Sequence, residues 1–175
     1  MTSNIEDKFR EGLTQYLLEE CTSEGWLQGS LLNSPDLDEA WLRLMPSLYG
    51  DAVRNFNEYP EFCLGCAGYL GMAVAFQWDK DWEKYSKVPY EFFQGERKFD
   101  DMDDHITDTI LHDRHHSVSK MQSLAASAYH FLMRETPEPG TALAYRLFLI
   151  TVETMYRIGS SLELSHLGYK LEVIG

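Results

Sequence analysis

Residues 99–134 read FDDMDDHITDTILHDRHHSVSKMQSLAASAYHFLMR, and the spacing of their apolar members decides the fold class. On a helix at about 100° per residue, Ile106, Ile110, Leu111, Val118, Met121, Ala125, Ala128 and Leu132 form one broad apolar arc. The spacing predicts a long helix over about residues 100–134, and strand-like alternation is nearly absent from the rest of the chain.

Working outward, Thr136-Pro-Glu-Pro-Gly140 is a tight loop of helix breakers, and a last helix is expected over about 141–170. Upstream, Ser3 with Glu6 reads as a capping box, and Ile5, Phe9, Leu13, Tyr16 and Leu17 continue as a helix to about residue 21. Ser34-Pro35-Asp36 opens a second helix, in which Pro46 is expected to interrupt or kink. Pro60 opens a third that runs into QWDKDWEKY, and VPYEFFQGERK looks like a connector with one short turn. The expected fold is all-α, one domain over 1–175, a bundle of five or six helices ending in a long antiparallel hairpin.

Composition narrows function by exclusion. A net charge of -13 with no lysine- or arginine-rich block disfavours nucleic acid and anionic membrane surfaces. No stretch approaches the roughly 18 to 20 apolar residues of a membrane span, and the opening MTSNIEDKFREG has no signal-peptide pattern. Three cysteines, an odd count, argue against a disulfide framework and for the cytoplasm. The chain has no Gly-rich phosphate loop, serine elbow or H-E-x-x-H helix.

The opening stretch also concentrates six aspartates and four histidines between Phe99 and Lys120. His105, Asp108, His112 and His115 or His116 recur at helical spacing, and Glu163 with His166 forms a Glu-x-x-His pair on the last helix. A divalent metal at His105, Asp108, His112, Glu163 and His166 is one candidate chemistry. The helical wheel opposes it, because these histidines lie across from the apolar arc, and Asp100, Asp101, Asp103 and Asp104 suit a helix start on their own. A solvated face is the expected role, and no cofactor is predicted.

Asp113 and Arg114 break the pattern from the inside, Arg114 near the centre of the arc and Asp113 at its edge. A charge there must be paired or open to a cavity. Arg114 either snorkels or pairs with an acid from another helix or, with Asp113 and His166 beside it, binds an anionic small molecule.

Cys63 and Cys66 form a C-x-x-C near a helix start, where the dipole favours thiolate. The motif resembles that of helical alkylhydroperoxidase-like proteins, which implies thiol redox chemistry; those proteins place a histidine shortly after the second cysteine, and here AGYLG follows. The alternative is packing, with Gly65, Ala67, Gly68, Gly71 and Ala75 letting a neighbouring helix approach closely. Trp78, Trp82 and Tyr85 share a face that suits a core edge or a partner interface. The function expected is a non-catalytic protein-interaction or regulatory module with a protein partner or self-association; a metal-dependent or ligand-binding bundle and a thiol redox protein are the rivals.

Overall fold

Ser34 caps the second helix as the Ser-Pro-Asp signal predicts, its Oγ accepting a hydrogen bond from the Asp36 amide at 3.2 Å. The computed structural model describes residues 4–136 and 138–170, with the backbone alone at 114–116. Within them lie α1 (Asn4–Ser23), α2 (Pro35–Asn55), α3 (Pro60–Tyr85), the single turn α4 (Met102–Asp104), α5 (Arg114–Glu135) and α6 (Ala142–His166). The described residues contain no strand, only an isolated bridge between Gly95 and Lys98. The fold is an all-α bundle, and none of these helices is long and apolar enough to cross a membrane.

The core is built on α3 and α6, which are buried along most of their length. They run parallel: Gly68 meets Gly159, and further along Asp79 meets Tyr169. The small residues have the packing role expected of them, and α6 is the neighbour they admit. A Cβ on Gly159 would lie 1.9 Å from the Gly68 carbonyl oxygen, and one on Gly71 2.1 Å from that of Tyr156. α1 runs alongside α6, held by Arg146 to Glu6 at 2.8 Å and Arg10 to Glu153 at 3.4 Å. α2 runs the opposite way, with the Tyr156 hydroxyl donating to the Leu37 carbonyl at 3.0 Å. α5 packs against α3, Met121 filling the space above Gly68, and is a lesser neighbour of α6 than α3 is.

Several expectations change in detail. Ser3 of the proposed capping box lies outside the described residues, and Glu6 bonds Arg146. Pro46 does not interrupt α2: it sits on the exposed face, where water can satisfy the carbonyl it leaves unbonded. α3 does kink near its end, where Asp81 leaves helical geometry and its carboxylate caps a fresh turn through the Lys84 amide at 3.2 Å.

The helix expected over 100–134 is broken. A 3-10 turn (Phe99–Asp101), α4 and a π turn (His105–Ile110) precede an irregular step in which His112 takes a left-handed φ of 53°. The Thr107 hydroxyl bonds the Asp103 carbonyl at 2.9 Å, and the Asp113 amide reaches the Thr107 carbonyl at 3.0 Å, which widens the turn. The extra residues reset the helical phase, so beyond the break Ser117 is buried and Val118 only partly so.

Candidate functional site

The two ends of α6 carry different surfaces. At its C-terminal end, the break before α5 brings Asp113 to 3.6 Å from His166 Nε2, so two of the three residues proposed for a ligand site do meet. The side chain of Arg114, the third, lies outside the described residues. One turn inward on each helix stand Glu163, 5 % exposed, and Ser117, 1 % exposed. The Ser117 hydroxyl has no hydrogen-bond partner among the described residues. Burial first, then the negative charges of Asp113 and Asp79, push the Glu163 carboxyl up to about 8, against a smaller opposing effect of Lys120. Lys120 is itself lowered by burial, and its ammonium lies 5.4 Å from the centre of the Trp26 ring. Glu163 is therefore held as a neutral acid at pH 7.

Other proposed metal ligands lie elsewhere. His105 Nε2 is 3.1 Å from the Phe92 carbonyl, while Asp108 and His112 are exposed. Among the described residues no three His, Cys, Asp or Glu side chains are placed to hold a metal ion. His115 and His116 side chains fall outside the described part.

Cys63 and Cys66 are buried free thiols. The Cys63 thiol faces the Ala52 carbonyl at 3.6 Å and is pushed up to about 12, chiefly by burial and then by Asp51. Burial raises Cys66 well above its ordinary value, with Asp103 adding to it. Desolvation outweighs the helix-start effect, and both thiols are buried in the core.

Sequence reasoning missed a polar network around Asp51. Its buried carboxylate accepts hydrogen bonds from the Tyr90 hydroxyl at 2.8 Å and Gln94 Nε2 at 3.0 Å, and pairs with Arg54. Three donors satisfy the charge and tie the connector to α2, so the network is a structural clamp. Only the spacing of Asp51 and Arg54 hinted at it. Trp78, too, is committed internally, donating to Asp36 at 3.0 Å and lying against Tyr169.

At the other end of α6, about 22 Å along the axis from Glu163 to Phe148, an apolar groove of about 390 Å³ opens between the end of α2, the end of α5 and the start of α6. Phe56, Leu132 and Phe148 line it together with Val53, Met133 and Tyr145, and these last three are 39 %, 42 % and 50 % exposed. The Phe56 and Phe148 rings, with centroids 4.1 Å apart, form part of its wall. Sequence reading missed it, because the exposure of Val53 and Met133 is set only when the helix ends are placed. No protein-family model, curated protein or solved structure matches the chain.

Proposed function

We propose that the protein is a non-catalytic interaction module whose contact surface is the apolar groove between α2, α5 and α6. One observation carries this: Val53, Met133 and Tyr145 hold large apolar area in water around a concave wall, which folding alone does not require. Burying side chains of that size in a partner supplies the driving force, and the aromatic Tyr145 is of the kind that dominates interface energetics. The polar groups elsewhere support the same reading, since Asp51 is fully bonded and the thiols are packed. The three buried free cysteines agree with a reducing cytoplasmic setting.

The test is titration of a fluorescent, uncharged amphipathic helical peptide into the protein, read by anisotropy. Saturable binding that disappears in Tyr145→Glu, with the variant still folded by circular dichroism, is expected. An absence of binding, or binding indifferent to that substitution, refutes the proposal.

A further inference from the structure

Resting on that reading of the groove, the charges around it point to what occupies it. Its twelve lining residues, among them Asn57, Thr136 and Thr141, carry no formal charge. Each arginine close by is engaged inside the molecule. Arg54 pairs with Asp51, Arg146 with Glu6 at 2.8 Å, and Arg134 lies 3.7 Å from Glu135 with its guanidinium over the Phe131 ring at 5.2 Å. Glu58 follows Asn57 at one side of the groove and Glu138 precedes Pro139 at the other, both exposed and both without an ion-pair partner among the described residues. The charge left uncompensated at the rim is therefore negative, in a chain whose net charge is -13.

Backbone chemistry narrows the occupant further. A peptide that adds as a β-strand needs a sheet edge for its amides and carbonyls, and the described residues contain no strand to supply one. A helix satisfies its own main chain and offers apolar side chains at spacings of three and four.

We infer that the groove receives an amphipathic α-helix of a partner protein, its apolar face on Val53, Phe56, Met133, Tyr145 and Phe148 and its flanking lysines or arginines beside Glu58 and Glu138. The basic residues select this partner and speed its approach, while the apolar contacts hold it.

Three peptides of about 15 residues test this, sharing one set of leucines and flanked by lysine, glutamine or glutamate. Affinity for the full chain is measured at about 50 mM and about 500 mM salt. The lysine peptide should bind roughly two- to thirtyfold tighter than the glutamine peptide, the range for two exposed ion pairs. High salt and the double variant E58Q/E138Q should each bring it down to the glutamine level. Equal affinities across the three peptides overturn the charge inference and leave the groove reading intact. Failure of all three to bind overturns the groove reading itself. A dimer mass in light scattering that Tyr145→Glu converts to monomer assigns the groove to a second copy of the chain and overturns the inference as well.

Discussion

Replacing Glu163 by glutamine should stabilise the protein, and increasingly so as pH rises. The folded state holds the Glu163 proton up to about 8, whereas the unfolded chain releases it near the ordinary 4.5. A carboxyl raised on folding binds its proton more tightly in the native state, so stability is lost as pH climbs through that window and levels off above it. At 1.36 kcal/mol per pH unit the penalty is about 1 kcal/mol at pH 5, about 3 at pH 7 and close to 5 above pH 9. Glutamine keeps the shape of the neutral acid and cannot ionise against Asp113 and Asp79. Urea unfolding of both proteins, followed by tryptophan fluorescence at pH 5, 7 and 9, gives the difference directly, and other titrating groups cancel in the comparison. A variant no more stable than the parent at pH 7, or a gap that does not widen with pH, shows that folding does not raise the Glu163 carboxyl.

Gly159→Ala should destabilise by about 3 kcal/mol or more, because the added methyl meets backbone on α3 and the helices must separate; a thermal melt unchanged from wild type contradicts the close α3–α6 contact. Asp51→Ala removes the acceptor of buried Tyr90 and of Gln94 and should lower stability by about 2 to 4 kcal/mol in chemical denaturation; a loss below about 0.5 kcal/mol tells against the clamp. Cys63 and Cys66 should resist an aromatic disulfide reagent in the native state and react fully in denaturant. Rapid labelling of the native protein points back to thiol chemistry.

Helices were legible in the sequence where start signals and apolar period agree. Ser34-Pro35 and Pro60 mark true starts, and the glycines of α3 mark a true close contact, because both are properties of the local chain. The break at residues 111–113 was not legible: the apolar period runs through it, and the extra residues in the turn are set by Thr107 bonding back to carbonyls rather than by a proline or glycine. That break is why a continuous wheel placed Val118 inside, where the structure buries Ser117. Asp113 and His166 were singled out from their phase and do meet, but the burial of Glu163 one turn before His166 depends on how α5 starts. The groove was hidden for a different reason, since it forms where the end of α2 meets the turn between α5 and α6, far along the chain, and exposure of Met133 or Tyr145 is a tertiary property.

Methyl-resolved NMR during titration with the lysine-flanked helical peptide tests the interaction surface most directly. Saturable shifts are expected at the methyls of Val53, Leu132 and Met133, with Ile106 and Leu164 toward the other end of the bundle unmoved. Shifts confined to Ile106 and Leu164, or none at saturating peptide, contradict it.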